Sequence, residues 1–509
     1  MKKIKRVLIS LFDKSKILKS IDVFKKYNIE IISTGGTKDF LVKNGCEVKS
    51  IEEITTYPSI LGGRVKTLHP KIFGGLLYRS DNLDDIEDLQ KFDIVSIDML
   101  VVDLYPFEET IKTTNDENKI IEKIDIGGVS LIRASAKNYK NVFVVSSMDS
   151  LDKAISIIDV KNGYTDINDR ILFAKKAFRT TSHYEMLISN YFNEQAEPIN
   201  EGVERLVNLF QSSKKLRYGE NPHQKAEFFG NLNEAVEQLS GKELSYNNLL
   251  DVDAAINLIN EFKETSFGII KHNNACGFAS DKSLLKAWNK ALAGDPISAF
   301  GGVLVTNSNL DKDVCNEIDK LFFEIIIAPS YDKTALEILK RKKNRIILMK
   351  KNTNLQEDTY KTVLNGILFQ ERDFITDGET LVNVSQKKPS KKQMEDLLFA
   401  SKICKHTKSN AIVLASDKQL IGSGCGQTSR VDALKHAISK ANQFDLDLNN
   451  SVMASDAFFP FPDCVEIASK SGVSAVIQPG GSKNDNLSID FCDKNNLTMV
   501  FTKTRHFKH

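Results

Sequence analysis

Short apolar runs and amphipathic stretches alternate along the chain from one end to the other. The run 7–11 predicts a buried strand, and Ile17, Leu18, Ile21 and Phe24 then recur at helical spacing. A second strand is predicted at 29–32. It meets Ser33-Thr34-Gly35-Gly36-Thr37 and a helix to Asn44, with Gly45 as its stop. The long apolar run 94–102 predicts a central strand and 142–146 another, followed by a helix at 169–192 and a polar linker at 193–202. Strand, helix, strand, glycine turn, helix is the signature of a parallel sheet with crossover helices. Past the linker, strands near 267–270, 301–305, 325–328, 411–415 and 474–477 alternate with helices near 281–293, 391–403, 431–442 and 463–471. Gly472 stands where a glycine closes the last of these helices. The whole chain reads as α/β.

Length changes the picture first: 509 residues suggest about three domains. Composition is ordinary for a globular protein, 41% hydrophobic and 27% charged. A formal net charge of +2 gives no support for a general nucleic-acid or membrane binder. The apolar run after the basic N-terminus is too short for a signal core and ends at Asp13 and Lys14. No run approaches the roughly 18 apolar residues of a spanning helix. The seven cysteines form no Cys-x-x-Cys pair, which fits reduced thiols in a cytosolic protein and no regular zinc site.

Candidate chemistry collects at predicted strand ends. The stretch 269–277 reads as a strand ending on Lys271 and His272, with Gly277 closing a turn before a helix near Asp281. A lysine and a histidine at one point supply a proton donor and a proton acceptor near neutral pH. The plainer reading is a solvated lysine beside a partly packed histidine. Ser33 to Thr37, at a strand-to-helix junction, suits an anion, because glycines admit the backbone, hydroxyls donate and the helix start is positive. Gly62-Gly63-Arg64-Val65-Lys66-Thr67-Leu68-His69-Pro70 packs two cations, a hydroxyl and an imidazole into a glycine-flanked loop, which attracts a phosphate or developing oxyanion. Asp13 or Ser15 is expected to cap the first helix. Asp125 is expected to cap the helix carrying Arg133 and Lys137, four apart on one face. The terminal Arg505-His506-Phe507-Lys508-His509 has a function only if it is tied down.

Several of these stretches carry a resemblance. Gly62 to Pro70, Leu104-Tyr105-Pro106-Phe107 and Ile124-Asp125-Ile126-Gly127-Gly128-Val129 resemble the cyclohydrolase half of the AICAR transformylase/IMP cyclohydrolase family. Leu216-Arg217-Tyr218-Gly219-Glu220-Asn221-Pro222-His223-Gln224, the Lys271 and His272 segment, Lys408-Ser409-Asn410-Ala411, Gly424-Cys425-Gly426-Gln427-Thr428-Ser429-Arg430, Ser455-Asp456-Ala457-Phe458-Phe459-Pro460-Phe461 and Gln478-Pro479-Gly480-Gly481-Ser482 continue the likeness in order to the last residue. The resemblance implies a methylglyoxal-synthase-like parallel-sheet domain at 1–197. It implies a transformylase domain of two cytidine-deaminase-like subdomains at 198–509. Zinc deaminases carry His-x-Glu and Pro-Cys-x-x-Cys; neither occurs in a suitable arrangement, so no metal-activated water is expected.

The implied chemistry is formyl transfer from 10-formyltetrahydrofolate to AICAR, then dehydrative closure of formyl-AICAR to IMP. The folate is a cosubstrate, with no tightly bound cofactor, nucleic acid or membrane partner expected. A cytoplasmic homodimer with shared transformylase sites is implied. For transfer, His272 takes the amine proton, Lys271 stabilises charge or helps protonate the leaving nitrogen, and Asn410 orients the reactants. Arg217, Tyr218, Arg430 and Arg505 hold the nucleotide; Phe458, Asp463, Gly481 and Ser482 line the pocket, with Gly301 and Glu324 carried over beside them. For cyclisation, Lys66, Lys137 and Tyr105 stabilise the oxyanion and Asp125 moves a proton, while Ser10, Lys14, Ser33, Thr34, Gly35, Gly36, Thr37, Arg64 and Thr67 grip the nucleotide.

Two departures stand out. The family pattern has asparagine where this chain has Asp103, and proline where it has Ala275. A carboxylate near an anionic ligand weakens binding unless it is turned away or paired. One alternative keeps only the transformylase, with the first third a regulatory nucleotide domain. Another is a non-catalytic nucleotide or nucleic-acid binder, whose mark would be a broad basic surface with interleaved aromatics.

Overall fold

The computed structural model describes residues 1–193, 213–353, 355, 357–378 and 381–509. The chain divides into two compact units, Met1–Arg205 and Leu206–His509. The expected boundary at 197/198 lies outside the described residues, as does all of the expected linker but its first residue.

In the first unit five strands lie parallel, in the order Lys49–Ser50, Glu30–Ser33, Arg6–Ser10, Met99–Val102, Phe143–Val145. Helices cover both faces, and the strands are apolar on both sides, as a doubly covered parallel sheet requires. The central strand is shorter than the apolar run 94–102 suggests. Helix Pro70–Leu77 packs so closely that a Cβ on Gly75 would sit 2.3 Å from Val95 O, and the Ile97 N–H is taken by Gly75 O. Ile94, Val95 and Ile97 are apolar because they are at least partly covered, and the Ile97 N–H goes to a helix rather than a strand, whereas Asp98 already joins the sheet, its N–H going to Arg6 O and its O taking the Phe143 N–H. Asp13 does not cap the helix that follows. It accepts the Ser15 N–H, and helix Leu18–Lys26 starts later with no side-chain cap.

The second unit is built on a sheet with twelve strands among the described residues. It is two copies of one layout. The first copy runs Val236–Ser240, helix Tyr246–Asn260, the hairpin Ser266–Lys271 and Asn274–Ser280, helix Leu284–Gly294, then strands Val303–Thr306, Ile325–Ala328 and Ile346–Lys350 separated by helices. The second runs Val382–Asn383, helix Lys391–Lys405, the hairpin Ile412–Ser416 and Gln419–Gly424, helix Arg430–Gln443, then Val452–Ser455, Ala475–Gln478 and Thr498–Phe501. Each copy places its strands in the same order, and the outer strands of the two hairpins meet antiparallel, Ala279 opposite Gln419. These repeats stand where the resemblance implies two subdomains.

The stretch after His272 is therefore not a glycine-closed loop. It is the return strand of a hairpin, and Gly277 lies inside it, where a Cβ would sit 2.0 Å from Ala291 O. Its counterpart Gly422 would bring a Cβ to 2.3 Å from Ala437 O. Both glycines let a helix backbone lie directly on the strand.

The head-to-tail meeting of the repeats has a geometric result. The hairpin tip of the first copy and the carboxyl ends of the second copy's parallel strands share one edge of the sheet. Ligand sites gather at strand carboxyl ends in parallel sheets. That holds here for the first unit and the second repeat, whereas the first repeat offers its hairpin tip and strand starts.

Candidate active sites

In the first unit, Ser10, Ser33 and Thr34 sit at adjacent strand ends. The hydroxyls of Ser10 and Thr34 are 3.1 Å apart, and Ser33 Oγ donates to Ile9 O. Thr37 is buried, its hydroxyl accepting from Leu11 N–H and donating to Leu11 O, so it fixes the loop. Helix Gly35–Lys43 begins there. A Cβ on Gly35 would lie 3.8 Å from Lys66 Nζ, so the Lys66 ammonium reaches over that helix start, at Gly35 and beside Gly36. Thr67 approaches the start of a second helix, Gly127–Lys137: a Cβ on Gly127 would lie 3.1 Å from Thr67 Oγ1. Two positive helix ends thus converge on the glycine-flanked loop, an arrangement that favours an anion.

Asp125 accepts the Gly128 N–H at 2.7 Å, and its own N–H goes to Tyr184 Oη at 2.9 Å. Burial raises the Asp125 carboxyl, against the Gly128 and Tyr105 N–H groups that lower it. Burial, with the Asp125 charge, also raises Tyr105. Lys66, Thr67, Tyr105 and Asp125 are thereby brought together. Arg64 points elsewhere, paired with Glu122, and Lys14 donates to Phe12 O. Lys137 is exposed at the far end of the helix whose start Asp125 caps, about 15 Å along the axis at 1.5 Å per residue.

Asp103 resolves its own difficulty. Its two oxygens accept the N–H groups of Phe12 and Asp13, at 2.5 and 2.8 Å. An asparagine offers a single acceptor oxygen. The carboxylate is turned into the loop after the neighbouring strand, and burial raises its pKa against those two bonds.

In the second unit, Lys271 and His272 end the first strand of the hairpin. Lys271 Nζ donates to Phe300 O at 2.7 Å and lies beside Gly301, where a Cβ would be 3.3 Å away. His272 and Asn273 form a two-residue turn with φ of 50° and 65°. Glu324 accepts from Asn248 Nδ2 at 3.1 Å and pairs with Lys242 at 3.6 Å. Asn274 joins the repeats: its Nδ2 donates to His272 O at 2.9 Å and its Oδ1 accepts the Lys408 N–H at 3.0 Å. Lys408 leads into Asn410, whose Nδ2 donates to Gln427 O. A cavity of about 270 Å³ opens here, lined among others by Lys271, His272, Asn274, Cys425 and Lys440.

Arg430 and Arg505 flank one ring: their guanidinium carbons lie 5.7 and 4.4 Å from the centre of Phe507. Arg430 reaches Asp456 at 3.5 Å, yet its buried Nε has no hydrogen-bond partner among the described residues. The tail is tied down, as its function requires. Ser409 N–H donates to Lys508 O, Lys508 N–H to Ser409 Oγ, and His506 N–H to Asp456 O. The buried His506 ring bonds Asp373 and Asp377 at 2.6 and 3.3 Å; against burial, those bonds raise it to about 9.

The loop carrying Phe458 and Asp463 and the loop carrying Gly481 and Ser482 are joined by Asn484 Nδ2 donating to Pro460 O. Arg217 stacks beside Tyr218, 5.5 Å from its ring centre. Glu324 and Gly481 flank strands seven places apart in the sheet order, about 34 Å at the usual inter-strand spacing. One nucleotide cannot touch both in a single chain. Sequence reasoning missed Asp251 and Asn274. The faint signal for the former is a shared pattern, serine, an amide three residues on and aspartate six on, at Ser245, Asn248, Asp251 and at Ser390, Gln393, Asp396. Among the described residues no cluster of three or more His, Cys, Asp or Glu is arranged to hold a metal ion, and no helix is long and apolar enough to cross a membrane.

Fold and sites together describe an α/β protein with two helix starts around a basic loop in one unit and a lysine and a histidine at a hairpin tip in the other. A family model described as the AICARFT/IMPCHase bienzyme matches residues 135–440, and one described as an MGS-like domain matches 16–130. The bifunctional purine biosynthesis protein PurH of Bacteroides thetaiotaomicron is 53% identical over 509 residues, covering 100% of this chain and 99% of that protein. Its namesakes from Caldicellulosiruptor bescii and Persephonella marina are 46% and 44% identical over 516 and 515 residues, each covering 99% of this chain and 100% of their own. The crystal structure of ForH is 27% identical over 37% of this chain and 99% of its own, with a TM-score of 0.34, a likeness too partial to carry an argument. The chain belongs to the AICARFT/IMPCHase bienzyme family. Full-length relatives named as bifunctional favour two activities over a regulatory first unit.

Proposed function

We propose that this bifunctional formyltransferase and IMP cyclohydrolase works through the two sites in series. The second unit moves a formyl group from 10-formyltetrahydrofolate, a cosubstrate that leaves after each turnover, to the 5-amino group of AICAR. The observation that carries this reading is the Asn274 bridge, which ties the turn of His272 to the loop that leads from Lys408 into Asn410. The aromatic amine is a weak nucleophile, so orientation and proton removal must be supplied. The amine nitrogen attacks the formyl carbon while His272 takes its proton. The bond from that carbon to the folate nitrogen then breaks, and a proton is delivered to the leaving nitrogen with Lys271 holding the developing charge. Arg430 and Arg505, with Arg217 and Tyr218, bind the nucleotide phosphate.

In the first unit the carboxamide nitrogen of formyl-AICAR adds to the formyl carbon, and loss of water gives IMP. The reaction is intramolecular, so proximity supplies much of its rate. Lys66 and Tyr105 stabilise the oxyanion and Asp125, its carboxyl raised by burial, moves the proton. Lys137 contributes at the other end of the bound nucleotide, since side chains lean toward a helix start.

The separation of Glu324 from Gly481 supports a transformylase site completed by a second copy of the chain, hence a homodimer. The reading also places the protein in the cytoplasm. Chromatography after mixing the protein with AICAR and 10-formyltetrahydrofolate tests the series: IMP is the expected product, accumulation of formyl-AICAR would remove the cyclohydrolase, and neither product would remove the catalytic reading of Lys271 and His272. Lys137→Ala should block cyclisation and spare transfer. Sedimentation should give the mass of two chains, and a monomer fully active in transfer would overturn the shared site.

A further inference from the structure

The two hairpins of the second unit are held by one device. In each repeat a helix with a capping box places an aspartate six residues beyond its N-cap serine: Asp251 in Tyr246–Asn260 and Asp396 in Lys391–Lys405. Asp396 accepts the N–H groups of Asp417 and Lys418 at 3.1 and 2.8 Å. Asp251 accepts the Asn273 N–H at 2.7 Å. With its amide oriented to suit its neighbours, Asn273 Nδ2 adds donations to Asp251 Oδ1 and Leu250 O, both at 3.1 Å.

Both turns have positive φ at both central residues, 50° and 65° in the first and 51° at each position in the second. Such turns are dominated by glycine, asparagine and aspartate. Histidine gains no comparable local help, so a hold from outside the hairpin matters more at His272. The exposed ring of His272 makes no hydrogen bond among the described residues. Its placement is therefore set through its backbone, by Asn274 on one side and by Asp251 through Asn273 on the other.

We propose that Asp251 is a positioning residue for formyl transfer: it fixes the turn of His272 and Asn273 so that the imidazole meets the amine proton. This rests on the reading of His272 as proton acceptor. Asp396 is its built-in control, the same clamp on a turn that has no part in the chemistry. Burial raises the Asp251 carboxyl, while the Asn273 N–H and the charges of His272 and Lys271 pull it back.

The test compares Asp251→Ala, Asp251→Asn, Asp396→Ala and His272→Ala in the full chain. It measures transfer kinetics, cyclisation of supplied formyl-AICAR, and urea midpoints. Asp251→Ala should lower kcat for transfer about 10- to 100-fold with KM for AICAR changed by less than about twofold, as expected for misplacement of a reacting group. Cyclisation should be unchanged. Asp251→Asn keeps an acceptor oxygen and should recover most of kcat. Asp396→Ala loses two bonds from a buried carboxylate, so it should lower the urea midpoint at least as far and leave transfer intact. A parental kcat in Asp251→Ala, or parallel losses of kcat in both alanine variants, would overturn the proposal. If Asp251→Ala does not fold, Asp251→Ser against Asp396→Ser reads the same difference. Retained transfer in His272→Ala would instead remove the acceptor reading itself.

Discussion

The first and second repeats of the transformylase unit share a strand order, a capped fifteen-residue helix and a clamped two-residue hairpin turn. Their hairpin tips differ in content. One carries Lys271 and His272; the other carries Asp417 and Lys418, which pair with Lys290 and Lys392 and with Glu264 and Glu395. The scaffold is thus neutral about chemistry: at matched positions the first tip has Lys271, His272 and Asn273 and the second Ser416, Asp417 and Lys418, so three side chains separate the proposed reacting edge from the salt-bridged one.

The sharpest break of this comparison is His272→Ala against Asp417→Ala. The first should cost at least about 100-fold in formyl transfer, the usual worth of a positioned base, and spare cyclisation. The second should leave both rates unchanged. Transfer lost equally in the two variants would mean that the turn, and not the imidazole, is what matters.

Next in size are Gly277→Ala and Gly422→Ala. Each puts a methyl group within 2.0 or 2.3 Å of a helix carbonyl, so each should cost about 1–3 kcal/mol or more in urea unfolding, with similar values for the two repeats. A cost confined to Gly277 would show that the repeats are packed differently.

The smallest effect concerns the tail, which belongs only to the second repeat. His506 is raised from its ordinary value near 6.5 to about 9 in the fold. Its contribution is therefore full below about pH 6.5 and is lost as the pH rises through about 9. The melting temperature should fall across that window, and more steeply than in His506→Gln. An equal slope in the two proteins would remove His506 as the latch.

Most strands were legible because their apolar runs are bounded by turn residues; Ile325–Ala328 falls where the pattern places it. The strand Asn274–Ser280 was not, because the residues that let helix Leu284–Gly294 lie on it are small, and Ala, Cys and Gly erase a two-residue alternation. The duplication was hidden for a related reason: the repeats keep the serine, amide and aspartate of their helices and little else. Site residues named from strand-end motifs proved to sit at strand ends, yet their grouping could not be read off. It depends on two repeats meeting head to tail, and motif order along the chain carries no trace of that. Thr37 and Asp103 show the same limit at one residue each. Both hold neighbouring backbone, which residue type and spacing do not tell.

The antiparallel seam at Ala279 and Gln419 leaves a second sheet edge, formed by the tip of the second hairpin and the strand carboxyl ends of the first repeat. That edge is a natural attachment point for engineering. A fluorophore or affinity tag placed at Lys418 would ride on the clamped, salt-bridged copy of the turn. It would report on the unit's integrity from the side opposite Lys271 and His272.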